Sequence, residues 1–424
     1  MIDRNIAPKI FPLSQPVIME HKTEILPNGV ELVILHDPSQ EVFKVDIMFK
    51  AGAAYQPQRL IATTAINMLG EGTSSHTSEQ ISELFDYYGA YIGEHVSMIN
   101  SELCLIGLCK YAEPVINLTA ELIIDSIFPE KELGIFLKNR KQQFLIQCEK
   151  TSYLARKEYM LRMYGDGHPY SNQVDAEDYD LLERELLVEF HKERYAAENC
   201  KVYISGNVSD EILGYIRKAF SEIPNCYSLN ERYIPKAKPS PIGKYHVTKE
   251  KSAQNSIRIG KSGVKLTDPD YPEFMLLNTI FGGYFSSRLM ANIREEKGYT
   301  YGIQSCNLPM YNAANWFIAT DVNKEMCQAT IDECFKEMRN LAEKPIGKEE
   351  FNRARQYLHG ELLRELDGAF AQSDMLRHKR SFGLDLGLYN QMIKRISTCD
   401  PDRIQELAAR YLRPEECYII TAGE

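Results

Sequence analysis

The chain has no apolar run approaching the roughly 18 residues that a membrane-spanning helix needs, although 44% of its 424 residues are hydrophobic. That combination excludes a transmembrane helix and leaves ample apolar surface for packed cores. No Cys-x-x-Cys pair occurs among its ten cysteines, so neither a thiolate metal site nor a dithiol redox motif is written here. Cys104, Cys200 and Cys417 instead sit in apolar, strand-like runs, where a reduced thiol behaves as a small hydrophobe. Excess positive charge is missing as well. Lys and Arg number 49 against 59 Asp and Glu, a formal net charge of −10, the wrong sign for nucleic acid or an anionic membrane. The amino-terminal stretch MIDRNIAPKIFPLSQP has neither the charged-then-apolar order of a signal peptide nor the arginine-rich amphipathic pattern of a transit peptide, so a cytoplasmic location is expected.

What is present points to two domains. The length exceeds what one core usually supports, and the sequence repeats itself. ERYAAENCKVYISGN, Glu193 to Asn207, and ARYLRPEECYIITAGE, Ala409 to Glu424, share Arg-Tyr, a polar break, Cys, an apolar strand and Gly. Between them IPKAKPSPIGK, Ile234 to Lys244, has linker composition. The expected organisation is an N-terminal domain over 1–233, a linker at about 234–244 and a homologous C-terminal domain over 245–424.

Within the first half, TEILPNGVELVILHD reads as a hairpin closed at Pro27-Asn28-Gly29. Phe43, Val45, Ile47 and Phe49 alternate with Lys44, Asp46 and Lys50, the pattern of a half-buried antiparallel strand. Thr77 with Gln80 forms a capping box ahead of an apolar stripe at Ile81, Leu84, Phe85 and Tyr88. A strand pair follows over about Tyr91 to Leu108, then helices over most of Tyr111 to Arg162. The second half repeats this order, with strands around His246 and Ile257, helices at Phe274 and Ser287, strands around Tyr301 and Trp316, and helices up to the last strand. Strands first and helices after predict an α+β fold of two homologous domains, each an antiparallel β-sheet covered on one face by α-helices.

The most informative segment is FGGYFSSRLMANIREEKGYTYGIQS, Phe281 to Ser305. Gly282-Gly283 interrupts an apolar helical run, Ser286 or Ser287 can cap a new helix, and Gly298 can stop it in a left-handed conformation. This places Arg294 at a helix end and Tyr301 at a strand start, so that both can address one point. Spacing alone leaves a structural alternative open, in which Arg294 pairs with Glu295 or Glu296 and Tyr301 fills core. A phosphate cradle at Gly282-Gly283 lacks the following lysine of a phosphate loop and reads as a hinge or close-packed turn.

The segment resembles the C-terminal signature of insulinase/pitrilysin-type zinc peptidases, a serine-arginine-leucine helix start followed by Ile-Arg-Glu and Gly-x-x-Tyr, and the resemblance runs along nearly the whole chain. It implies that Arg294 and Tyr301 hold substrate backbone and the developing oxyanion opposite a zinc site on another half. The family's His-x-x-Glu-His, however, is absent. Counting back from Gly72-Thr73 puts Thr63 and Asn67 at the histidine positions and Ile66 at the general base. The third ligand, a glutamate, should fall in KNRKQQFLIQ, Lys138 to Gln147, which contains no acid. Hydroxyl and amide oxygens bind zinc poorly and isoleucine takes no proton from water, so no metal is expected on this chain. Glu94, His95 and Glu102 form a weak substitute, since adjacent strand residues point to opposite faces. His168, in YGDGHPYS, reads as structural.

In this family four such α/β units enclose a chamber, and this chain supplies two. The resemblance therefore implies a non-catalytic subunit, without a bound cofactor, that brings Arg294 and Tyr301 in trans to a zinc-bearing partner in a heterodimeric metallopeptidase acting on peptides. The alternative is a peptide-binding or structural pseudoenzyme that pairs with a second copy of itself. A zinc peptidase with an unrecognised site is the remaining possibility.

Overall fold

A computed structural model describes residues 17–171, 173–226, 234–385 and 387–424; the amino-terminal stretch read above for targeting signals lies outside these residues. The chain opens with β1 (Lys22–Ile25) and β2 (Glu31–His36), joined at the expected Pro27-Asn28-Gly29 turn, where Gly29 N–H donates to the Leu26 carbonyl at 2.9 Å. Next come β3 (Val42–Phe49), α1 (Ile61–Asn67) and α2 (Ser78–Tyr88). The capping box forms as read, with Thr77 Oγ1 accepting from Gln80 N–H and Gln80 Oε1 accepting from Thr77 N–H. β4 (Tyr91–Val96) and β5 (Ser101–Leu108) precede α3 (Ala112–Asp125), α4 (Glu130–Cys148), α5 (Thr151–Tyr164) and α6 (Arg184–Arg194), and β6 (Cys200–Gly206) and α7 (Asp210–Ser221) follow.

The second set begins with β7 (Lys244–Thr248), β8 (Asn255–Ser262) and α8 (Tyr271–Asn278). β9 (Ile303–Met310) and β10 (Ala313–Val322) come next, then α9 (Cys327–Glu343), α10 (Lys348–Arg364), α11 (Gly368–Ser381), α12 (Gly387–Thr398), α13 (Pro401–Tyr411) and β11 (Tyr418–Gly423). The stretch 234–244 is not loose: Lys238 N–H and Ser240 N–H donate to the carbonyls of Tyr164 and Arg162, tying it along the end of α5.

The sheets run β1-β2-β6-β3-β5-β4 and β7-β11-β8-β10-β9. Both are antiparallel except for one parallel pair each, β2 with β6 and β7 with β11. The repeated sequence motif thus lands on topologically equivalent strands, β6 and β11, each inserted between an early strand and the sheet centre. One face of the first sheet, with Phe43, Val45, Ile47 and Phe49, packs on α1, α3 and α7 in a core of its own half. Ile257, Ile259, Trp316 and Ile318 do the same in the second half.

The opposite faces are covered reciprocally. α11 of the second half lies on the first sheet, where Val33, Leu35, Met48 and Tyr203 join Met375 and Leu376 in one cluster. α5 of the first half lies on the second sheet, where Ala155, Tyr159 and Met163 meet Tyr418, Ile420 and Ala422. Tyr159, fully buried, donates toward the carbonyls of Lys261 and Trp316, each at 3.2 Å. The approach is close because Gly260 has no side chain: a Cβ there would lie 2.5 Å from Trp316 O and 2.7 Å from Tyr159 Oη.

This exchange corrects the reading of β3 as half-solvated. Lys44 and Asp46 are buried beneath α11, where Lys44 Nζ meets Asp46 Oδ2 at 3.1 Å and Asp374 Oδ1 at 2.5 Å. Arg377 pairs with both Asp374 and Glu102. Desolvation lowers the Lys44 ammonium's pKa, but Asp46 and Asp374 outweigh it and hold the value above the ordinary lysine range. All ten cysteines are free, and Cys200, Cys334 and Cys417 are buried.

Candidate functional site

α1 carries Thr63, Ile66 and Asn67, where the resemblance would place metal ligands and a general base. Thr63 is exposed, Asn67 is part-exposed and Ile66 is fully buried in the first core. Asn67 Nδ2 donates back to the Thr63 carbonyl at 2.8 Å, and its Oδ1 accepts from Arg140 Nη2 at 2.9 Å. Arg140 belongs to α4, inside the span where the third ligand was sought. A guanidinium therefore bridges α1 and α4. Donors of this kind do not fit zinc, which takes imidazole, thiolate or carboxylate. Among the described residues no group of three His, Cys, Asp or Glu side chains is placed to hold a metal ion. His95 stands directly opposite Glu102 in the β4–β5 register, but Glu102 is engaged by Arg377. His168 is structural as read. It is buried, stacks on Tyr164 with ring centroids 5.1 Å apart and accepts the Tyr170 N–H at its Nδ1.

The Arg294–Tyr301 segment is built from unusually wound backbone. π-helical turns occupy Thr279–Gly283 and Met290–Glu296, a winding often found where a side chain must be re-aimed. Asn278 fixes the first turn against β9: its Oδ1 accepts from Trp316 Nε1 and Ser305 Oγ, and its Nδ2 donates to Ser305 O. Gly282 allows this approach, since a Cβ would lie 2.7 Å from Ser305 Oγ; the double glycine is a close-packed turn. Ser287 does not cap the next helix, and its hydroxyl is buried without a partner among the described residues. Gly298 adopts the expected left-handed conformation, φ 65°.

The structure brings Arg294 and Tyr301 together through backbone. Arg294 Nε donates to the Tyr301 carbonyl at 3.0 Å, and its guanidinium lies over the Phe285 ring at 4.9 Å. Glu295 is only at 4.0 Å. The Tyr301 side chain is 93% exposed and Phe285 63%, so the core-filling alternative for Tyr301 does not hold. A tyrosine held rigidly at its backbone, with its phenol in solvent beside a stacked guanidinium, can donate to a ligand oxygen without rearranging. Sequence reading missed Phe285, whose adjacency to Tyr284 in an apolar run gave no sign that it points outward.

Two cavities lie on this side of the molecule. One of about 650 Å³ is bounded by Gly283, Phe285, Gly302 and Arg258. The other, about 980 Å³, lies between the halves and is bounded by Thr63, His95, Tyr159, Leu308, Phe317 and, again, Arg258. Helix α1 and the Arg294 segment thus open onto neighbouring spaces that share one guanidinium.

Comparison with known proteins gives a consistent result. The family model Peptidase M16 inactive domain matches residues 182–358, a span that includes Arg294 and Tyr301. The chain is 23% identical over 392 residues to an uncharacterized zinc protease of Rickettsia bellii, covering 90% of each. It is 24% identical over 366 residues to the Bacillus subtilis protein named "Probable inactive metalloprotease YmfF", covering 80% of this chain and 85% of that one. The crystal structure of a peptidase M16 inactive domain from Pseudomonas fluorescens superposes with a TM-score of 0.84 at 22% identity, over 96% of this chain and 98% of that one.

Proposed function

We propose that this chain, a non-catalytic member of the insulinase/pitrilysin-type (M16) metallopeptidase family, completes the active site of a heterodimeric peptidase by presenting Arg294 and Tyr301 to a zinc-bearing partner. The observation that carries this reading is the exposure of the Tyr301 phenol while its backbone is fixed by Arg294. An unsupported surface tyrosine would have no need of that anchor. The unsuitability of Thr63, Ile66 and Asn67 as metal donors supports assigning zinc to the partner rather than to this chain.

On this reading the partner supplies the metal chemistry, and this chain contributes two donors. The Tyr301 hydroxyl donates to the oxyanion formed as water adds to the scissile carbonyl. Arg294, its Nε already committed to Tyr301 O, donates from its terminal nitrogens to a neighbouring substrate carbonyl and fixes the register of the peptide. Excluding water from around these bonds requires the second subunit, because a hydrogen bond made in open solvent gains little. Domains 1–233 and 245–424 are the two homologous units that this chain adds to the chamber. A cytoplasmic location belongs to the same proposal; among the described residues no helix is long and apolar enough to cross a membrane.

The test is reconstitution with a zinc-bearing relative. The chain alone should cleave nothing. In the mixed complex, Arg294→Ala and Tyr301→Phe should each lower kcat by about 10²-fold while co-elution in size-exclusion chromatography is unchanged. Unaltered turnover in both variants would make the pair ordinary structure. The second reading, a homodimeric peptide clamp, draws on the cavity between the halves, which one chain forms by itself; it predicts peptide binding without any zinc-bearing partner.

A further inference from the structure

The two sheets carry charge at equivalent places with different outcomes. β3 and β8 are the corresponding central strands of their sheets, and each turns a charged residue toward the helix lent by the other half. On β3, Asp46 is answered by Lys44, within a network that includes Asp374, Arg377 and Glu102. On β8, Arg258 meets rings, with the Asp321 carboxylate of β10 acting on it only at longer range. Its guanidinium lies 4.2 Å from the Phe317 ring centroid and 5.8 Å from that of Tyr159, and among the described residues it forms no ion pair. A part-buried guanidinium without a paired carboxylate is costly, and the environment registers it: burial first of all brings Arg258 down to about 10, against the smaller opposing pull of Tyr159, Cys306 and Asp321. Stacking between rings leaves its in-plane N–H edge free to donate.

The surroundings select the ligand's sign. Arg156, Lys157, Arg258 and Arg377 bound the cavity between the halves, against Glu102 as its one carboxylate among the described residues, in a chain of formal net charge −10. Glu102 is neutralised by Arg377, and Lys157 pairs outward with Asp175 at 3.0 Å. Arg258 and the exposed Arg156 form no ion pair among the described residues. Met98, Met160, Met310 and Leu308 supply apolar wall beside them, which suits a side chain adjoining an anionic group.

We propose that the cleft between the halves is a binding site for a peptide carboxylate, gripped by Arg258 between Phe317 and Tyr159 and assisted by Arg156. The carboxylate is either the free C-terminus or an Asp or Glu side chain, and the planar two-oxygen group matches the two parallel N–H donors of a guanidinium. This rests on the reading that the protein handles peptides, but it assigns a preference that Arg294 and Tyr301 do not provide.

The experiment is fluorescence anisotropy on the full chain with one labelled decapeptide in three forms: free C-terminus without acidic residues, amidated without acidic residues, and amidated with one internal Glu. The neutral amidated form should bind at least about tenfold more weakly than the better carboxylate form, and the form that retains tight binding identifies the source. Arg258→Met should erase the difference, Arg258→Lys should keep part of it, and Arg156→Gln, a surface change that leaves folding intact, should reduce it about threefold. Equal binding of all three peptides, or no binding of any, overturns the proposal, as does an undiminished preference in folded Arg258→Met. Carboxylate preference together with unaltered turnover in the Arg294 and Tyr301 variants would instead sink the trans-acting role and leave this site standing.

Discussion

Arg140 Nη2 donates to Asn67 Oδ1 at 2.9 Å, joining α4 to α1. A fixed positive charge ties the two helices, and it needs no loading, no pH window and no entry path.

That relationship can be reversed by design. Thr63→His, Asn67→His and Arg140→Glu alter only surface or part-exposed positions and leave buried Ile66 untouched. The triple variant should take up one zinc ion per chain by elemental analysis, with three conventional donors in place. With Arg140 retained, the two-histidine protein should bind zinc at least about 100-fold more weakly, because it lacks a donor and keeps a cation beside the metal. Equal affinity in both proteins would mean that Arg140 does not stand at the ligand position.

Lys44 should report on the coupling between the halves. Lys44→Met strands Asp46, whose side chain is 2% exposed, and should cost about 3 kcal/mol in urea unfolding. Because α11 belongs to the other half, the loss should shift one cooperative transition rather than split it. Lys44→Met/Asp46→Leu should recover more than half of the loss, since an apolar pair of similar volume avoids the buried charge. A biphasic melt would count against the reciprocal packing.

Gly260→Ala tests the seating of α5. The added methyl would lie 2.5 Å from a backbone oxygen, Trp316 O, which cannot swing aside, so about 2 kcal/mol of destabilisation is expected. Tyr159→Phe removes the second obstruction at 2.7 Å and should soften the effect in a double-mutant cycle. Additive losses would show that the two sites do not meet.

His191 sets an acid limit. Its Nε2–H donates to the Ile123 carbonyl at 2.8 Å, and burial, foremost among the causes, lowers its pKa from 6.5 to about 4. Unfolded chains take up this proton near pH 6.5 and folded ones only near 4, so between those values the unfolded state binds more protons. Stability is therefore full above about pH 6.5 and falls as the pH drops toward 4, by on the order of 3 kcal/mol from this residue. His191→Gln should flatten the slope of unfolding free energy over that range; an unchanged slope would assign it elsewhere.

Much of the fold was legible because it depends on local chemistry. The Thr77–Gln80 capping box, the turn at Asn28-Gly29, the left-handed Gly298 and the alternation of β3 each follow from a few neighbouring residues. The poor donor character of Thr63, Ile66 and Asn67 is a property of side-chain type and needs no coordinates. Period-two alternation, by contrast, says only that Lys44 and Asp46 share a face. It is identical whether that face meets water or a helix some 330 positions away, the separation of Lys44 and Asp374. The same blindness left Arg258 without a reading and showed Arg140 only as the absence of an acid.

The sequence by itself determined the elements, their order, the doubled plan and the poor metal-donor character of Thr63, Ile66 and Asn67, since propensity, capping and donor chemistry act over a few residues. Only the tertiary structure decided which helix covers which sheet, which charges find ion-pair partners and which, like Arg258 among the described residues, meet rings instead. Those outcomes depend on long-range packing, where the energy of a charge is set by neighbours that the chain brings to it from the other half.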